Sequence, residues 1–201
     1  LLLSAYYVLL YRLTSQNDLI VGTPIAGRQE PGLDALIGPF LNMLPLRLKI
    51  RDGMTPKALF EEVKNLTLDA YDHQDLPFEV MVEQVAPERN LSHHPIFQTV
   101  FALHGEVKAP SMGGLDLSPF ELDNGVSRFD LTFTLRPVDE SLQGHVEFKT
   151  HLFEPETIAS LIQTYIHLLN TLCHADDIPI QVLHLGSESR LEGAGKPLAF
   201  D

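Results

Sequence analysis

Cysteine is nearly absent: Cys173 is the single one in 201 residues. An internal disulfide is therefore impossible, and so is any zinc site that needs two thiolates. A reducing, cytoplasmic compartment is the expected home. Basic residues are scarce too. Fourteen Lys and Arg face 27 Asp and Glu, a formal charge of −13. Nucleic-acid partners need clustered cations to neutralise phosphate, so this balance argues against them, and against anionic membrane surfaces. A long apolar run is also missing. The longest, residues 1 to 13, is interrupted by Arg12 and falls short of the ~20 residues of a membrane span. No basic flank precedes it, so it does not read as a secretory signal.

Familiar catalytic patterns are absent as well. There is no G-x-S-x-G, no P-loop and no H-E-x-x-H. Gly193-Ala194-Gly195-Lys196 lacks the preceding strand and third glycine of a nucleotide-binding turn, and reads as tail. Nine histidines are present, but His93 and His94 are adjacent and point to opposite faces of an extended chain. His145 and His151 could share a strand face, and His167 and His174 a helix face. None has a carboxylate or thiol companion at ligand spacing, so no metal is expected.

What is present fits a globular α/β chain. Apolar residues make up 44% and charged residues 20%. One large domain or two small ones can be built, burying roughly 70% of the unfolded surface. Residues 1–15 read as a helix apolar almost all round, hence buried. The chain begins inside this pattern with Leu1, which suggests a piece of a longer polypeptide. Leu19 to Gly22 reads as a strand buried on both faces, and residues 33–37 as one helical turn. Residues 40–50 read as a second strand, with Pro45 implying an irregularity or an edge. Thr55-Pro56 starts a helix that carries Leu59, Phe60, Val63, Leu66 and Ala70 inward and ends near residues 71–74. Pro77 opens a shorter helix with Phe78, Met81, Val82 and Val85 inward.

The second half is richer in strands. Residues 96–103 read as a strand, 104–114 as a loop, and 115–122 as a weak strand. Residues 129–135 alternate as a half-buried strand. Leu142, Val146 and Phe148 alternate in a partner that forms a hairpin across residues 137–141. A last helix runs from about Pro155 to His174, and residues 186–201 read as a linker. The predicted class is an α/β two-layer sandwich with a mixed sheet.

Three local clusters are unusual. In the first, residues 37–47, Gly38 permits a sharp turn, Pro39 stiffens it, and Asn42 is a lone amide in apolar company. Such an amide bonds to backbone at a turn or faces a cavity. In the second, His73-Gln74-Asp75-Leu76-Pro77-Phe78-Glu79, Pro77 lies in the first turn of a helix and Glu79 at its positive end. The third, residues 87–97, holds Arg89, Ser92 and Pro95 between a helix and a strand.

In this order and spacing the clusters resemble the last three core motifs of condensation domains from nonribosomal peptide synthetases. Those motifs read approximately I-G-x-F-V-N-T-L-x-x-R, H-Q-D-x-P-F-E and R-D-x-S-R-N-P-L. The second is matched at His73, Gln74, Asp75, Pro77, Phe78 and Glu79. The first is matched at Ile37, Gly38, Phe40, Asn42, Leu44 and Arg47, with Leu41 and Met43 substituted. The third agrees at Arg89, Ser92 and Pro95 and departs at Asn90, His93, His94 and Ile96.

The resemblance covers about residues 1–185. It implies the C-terminal lobe of a pseudo-dimer like chloramphenicol acetyltransferase, with a tunnel between the lobes. The implied reaction is attack of an acceptor amine on a donor thioester. Both substrates would ride on phosphopantetheine arms of peptidyl carrier proteins, with no cofactor bound to the domain. The catalytic signature H-H-x-x-x-D-G belongs to the N-terminal lobe and is absent here. His93-His94 is followed by Pro95-Ile96-Phe97-Gln98-Thr99 and does not supply it. The resemblance therefore implies no catalytic residue in this chain, which alone is expected to be inactive. It places Gly38, Phe40 and Asn42 near the tunnel, and the loop 104–114 as a crossing segment. Implied partners are the N-terminal lobe, carrier proteins and an adjacent adenylation domain. Two alternatives stay open: a non-catalytic carrier-docking module, and part of a related acyltransferase using a soluble thioester.

Overall fold

A computed structural model describes residues 1–85, 94–105, 113–115, 125–175 and 177–185. In chain order the elements are α1 (Leu2–Thr14), β1 (Asp18–Ile25), β2 (Asn42–Lys49), α2 (Pro56–Asp72), α3 (Phe78–Val85), β3 (Thr99–Leu103), β4 (Leu131–Val138), β5 (Ser141–Phe148) and α4 (Pro155–His174). Short 3-10 turns lie at Leu33–Ala35 and Ile180–Val182. The strands form one sheet in the order β2-β1-β3-β4-β5. The outer pairs are antiparallel, and β3 runs parallel to both β1 and β4. This is the mixed-sheet α/β sandwich that the sequence predicts.

The main core joins the helices to one face of the sheet. Ser4 to Leu10 of α1 are all buried, two full turns without an exposed position. They meet Val21, Phe101, Leu131 and Phe133 of the sheet and Leu161, Tyr165 and Leu168 of α4. Each fully buried Leu or Phe contributes roughly 1.5–3 kcal/mol. Two buried phenols find acceptors. Tyr7 donates to the Leu46 carbonyl at 2.8 Å, and the Tyr6 hydroxyl bonds the Thr99 hydroxyl. Burial drives both phenol pKa values well above the ordinary range.

Local signals set most boundaries. Thr55 caps α2, accepting from the Ala58 amide, with Pro56 in the first turn. Helix α4 begins at Pro155, as predicted. Val138 pairs with Ser141, so β4 and β5 form the expected hairpin through Asp139 and Glu140. Pro45 sits in edge strand β2, opposite Gly22, and the pairing with β1 continues past it on both sides.

Three expectations are corrected. Strand β3 starts at Thr99 rather than Ile96, because Ile96 has φ +71° and the Phe97 amide turns back to the Pro95 carbonyl. Val85 is 65% exposed, since the apolar cluster under α3 reaches Phe78 and Val82 and no further. Leu142 is also exposed. Its register partner is Pro137, one pair from the tight turn, and residues 141–145 are all exposed. Arg89, Ser92, most of the loop 104–114, the weak strand beyond Leu115 and the linker 186–201 lie outside the described residues.

Candidate functional site

Asn42, the first residue of β2, ties the first sequence cluster to the second. Its Nδ2 donates to the carbonyls of Gln74 at 3.0 Å and Leu76 at 2.8 Å. Its Oδ1 accepts from the Phe78 amide at 3.0 Å. A side chain needs two donors and an acceptor on one planar group to do this, and the amide supplies them. A carboxylate offers no donor, and an aliphatic residue offers neither. The orphan N-terminal amide of α3 is thus capped from a distant strand instead of by its own preceding residue.

The rest of the second cluster shapes the turn between α2 and α3. His73 ends α2, its amide donating to Ala70, and its side chain is exposed. The Gln74 side chain donates to the Tyr71 carbonyl at 2.7 Å. Asp75 and Pro77 are exposed, and the Pro77 carbonyl accepts from Val80 and Met81. Glu79 lies exposed in the first turn of α3, while Phe78 is buried.

Phe78 belongs to a second apolar cluster with Phe97, Val100 and Phe129. His94 stacks on Phe78 with centroids 5.5 Å apart and 20° between planes, and lies 4.6 Å from Phe129 edge-on. Its Nδ1 is 3.0 Å from the Pro95 carbonyl and 3.2 Å from that of Phe97. Both are acceptors, so the bonding tautomer carries its proton on Nδ1. Desolvation pulls the His94 pKa below the ordinary histidine value. Pro95, from the third cluster, therefore adjoins the ring that stacks on the second. Gly22 leaves room for this arrangement: a Cβ there would stand 2.2 Å from the Phe97 ring.

Gly38 is exposed and Phe40 half-buried, in the segment that returns from β1 to β2. The guanidinium of Arg28 lies 4.2 Å from the Phe40 ring centroid and bonds carbonyls of the same segment. At the end of the first cluster, Arg47 binds Asp18 through two 2.8 Å contacts, and Lys49 approaches the same carboxylate. The Arg47 hydrogen bond holds the Asp18 carboxyl below its usual pKa.

Sequence reasoning missed Arg28, His94 and the aromatic set of Phe97 and Phe129. In the sequence His94 shows only that it is neither a ligand nor part of the signature, because its neighbours come from α3 and from the segments that lead into β3 and β4. Among the described residues, no three His, Cys, Asp or Glu side chains gather as a metal site would require. No helix among them is long and apolar enough to cross a membrane.

A family model described as "Condensation domain" matches residues 1–190. The chain belongs to the condensation-domain family. It is 38% identical over 188 residues to surfactin synthase subunit 1 of Bacillus subtilis (strain 168), covering 93% of this chain and 5% of that protein. It is 39% identical over 177 residues to malpinin synthetase of Mortierella alpina, covering 88% of the chain and 2% of that protein. This condensation-domain chain thus spans only a small part of those relatives. The X-domain from teicoplanin biosynthesis superposes with a TM-score of 0.79 at 26% identity, over 91% of this chain and 43% of that one. The starter condensation domain of rhizomide synthetase RzmA gives 0.72 at 22% identity, over 92% and 44%.

Proposed function

We propose that residues 1–185 form the C-terminal lobe of a condensation domain that makes amide bonds in nonribosomal peptide synthesis, and that residues 186–201 lead toward an adenylation domain. The observation that carries this reading is the extent of the likeness. Nine-tenths of this chain overlies under half of the rhizomide starter condensation domain and of the teicoplanin X-domain, as one lobe of two would. The join of the first two motifs through Asn42 supports it further.

In this reading the lobe supplies one tunnel wall and part of the carrier-docking surface. Gly38, Phe40 and Asn42 stand along that wall, and the motif residues 73–79 buttress it from behind. The acceptor amine attacks the donor thioester carbonyl, so a C–N bond forms and the C–S bond breaks. The nitrogen sheds a proton and the departing pantetheine sulfur takes one up. The histidine beside that nitrogen comes from the N-terminal lobe, since this sequence has no H-H-x-x-x-D-G. The domain binds no cofactor of its own, because both acyl groups arrive on carrier arms. Leu36, Ile37, Leu41 and Leu76 are exposed around the Asn42 join. We assign this apolar set to the meeting with the N-terminal lobe.

The test is amide formation from two carrier-bound substrates, by this chain with and without an N-terminal lobe. Turnover is expected only with both. Turnover by the chain alone removes the assignment of the chemistry to the other lobe, and turnover with a soluble thioester donor favours the acyltransferase alternative. A non-catalytic docking role is the second reading. It is favoured by the likeness, at a TM-score of 0.79 and 25% identity, to the X-domain in its complex with OxyB from teicoplanin biosynthesis. Saturable binding of a pantetheinylated carrier without turnover by the two-lobed protein would select it.

A further inference from the structure

Ile96 holds a backbone shape that its side chain disfavours. Its φ is +71°, and the Phe97 amide donates to the Pro95 carbonyl at 2.9 Å, two residues back. This is a γ-turn of the strained hand, and a β-branched residue at its centre is an outlier. Such a conformation persists only where the surroundings over-determine it.

His94 supplies the constraint. Its Nδ1 lies 3.0 Å from the Pro95 carbonyl oxygen and 3.2 Å from that of Phe97, so one N–H clamps the two carbonyls that flank Ile96. The imidazole sits among Phe78, Phe97 and Phe129, with ring centroids 5.5, 4.9 and 4.6 Å away. Phe97 lies 5.4 Å from Phe78, and the Phe78 amide is the donor to Asn42 Oδ1. A short run of contacts therefore joins the strained turn to Asn42, the residue assigned above to the tunnel wall.

The clamp is a group that titrates. Arg128 and Lys149 act on the ring from the start of β4 and the end of β5, and Lys149 bonds Asp130 at 2.7 Å. Helix α3 carries Glu79 and Glu83, both exposed, and the segment from Pro95 to Gln98 carries no charge. Burial above all, and the two cations after it, lower the pKa of the ring, with the two carbonyl contacts opposing. A protonated ring gains by leaving the three aromatic faces for water, and its departure frees both carbonyls. An asparagine, which the third motif has at this position, offers an N–H to the same carbonyls and does not titrate.

We infer that His94 is a positioning residue for amide formation: its protonation releases the turn at Ile96 and withdraws support from Phe78 and Asn42, giving the reaction of this chain an acid limb of its own. His94 acts through those residues. The inference rests on the functional reading above, and its test separates the two.

His94→Asn is compared with the native protein in the full two-lobed domain, with saturating carriers. Acid loss from the histidine of the N-terminal lobe and from the acceptor amine is common to both and cancels in the ratio of their kcat values. That ratio is expected to stay within about three-fold at neutral and alkaline pH. It should then fall with the fraction of neutral His94, followed by the NMR signals of its ring, approaching about ten-fold for each pH unit below the pKa. Over the same interval, backbone hydrogen exchange at residues 76–79 and 95–98 should quicken in the native protein and not in His94→Asn, while α1 exchanges as before. Ile96→Gly keeps the test open if His94→Asn does not fold. Glycine accepts the positive φ without the clamp, so this variant should show a milder acid loss than the native protein. A ratio that does not change with pH, or exchange that quickens while the ratio stays flat, overturns the role of His94. An Ile96→Gly profile identical to native overturns the part of the strained turn. Failure of the native two-lobed protein to form any amide overturns the functional reading, and the positioning role for that reaction with it.

Discussion

Asn42 shows how much one side chain can fix. Its three bonds reach backbone more than thirty residues away in sequence. Asn42→Asp keeps the shape, removes both donors and sets a carboxylate against two carbonyls. It is expected to lower unfolding free energy by about 1–3 kcal/mol, read as a lower urea midpoint with an unchanged slope. The sequence marks Asn42 as an amide seeking backbone but carries no sign of which backbone. His94 was legible only as a non-ligand. Its burial depends on Phe78, Phe97 and Phe129, which no local pattern assembles. Arg28 closes a stretch, Leu19 to Arg28, that resembles the family, but nothing in the sequence says which carbonyls and which ring its guanidinium meets.

At the scale of elements, the helices were readable because each encodes its own limits. Thr55-Pro56 starts α2, and the apolar spacing of α4 runs from Pro155 to His174. The hairpin was readable from alternation on both arms. The misses fall at ends, where neighbours decide. Ile96 continues an apolar run that a positive φ breaks, and Leu142 keeps the alternation of a strand whose residues 141–145 are all exposed. The contact of β1 with the segment before β3 gives a test of its own. Gly22→Ala forces the Phe97 ring to move, and overpacking of this kind costs about 1–3 kcal/mol. Thermal unfolding should show the loss. A melting point equal to native would mean that the ring relaxes freely.

Two predictions concern the whole molecule. The depressed His94 pKa means that the folded state binds its proton less readily than the unfolded chain does. In the interval between the lowered folded value and the unfolded value of 6.5, unfolding takes up a proton. The stability gained from neutral His94 is therefore full above that value and is lost as pH falls below it. Asp18 works at more acidic pH, its own contribution fading as pH falls through its lowered pKa. Replacing His94 with Phe should flatten the stability profile just below pH 6.5 and leave the more acidic slope. An unchanged profile would assign the slope to other groups. The exposed Leu36, Ile37, Leu41 and Leu76 lead to the second prediction. The chain without an N-terminal lobe should self-associate as its concentration rises, and a clean monomer by light scattering would count against a lobe interface there.

Pro45 has an implication for growth of the sheet. It sits midway along an outermost strand, and the ladder to β1 is unbroken on either side of it. Its nitrogen, which has no hydrogen to give, therefore faces away from β1. A foreign strand arriving on that flank would meet an acceptor row with a missing donor at its centre. The opposite flank, Ser141 to Phe148, contains no proline. Among the described residues β5 is the other outermost strand, so a strand recruited from a partner or a misassembled copy would find an uninterrupted donor row there rather than along β2.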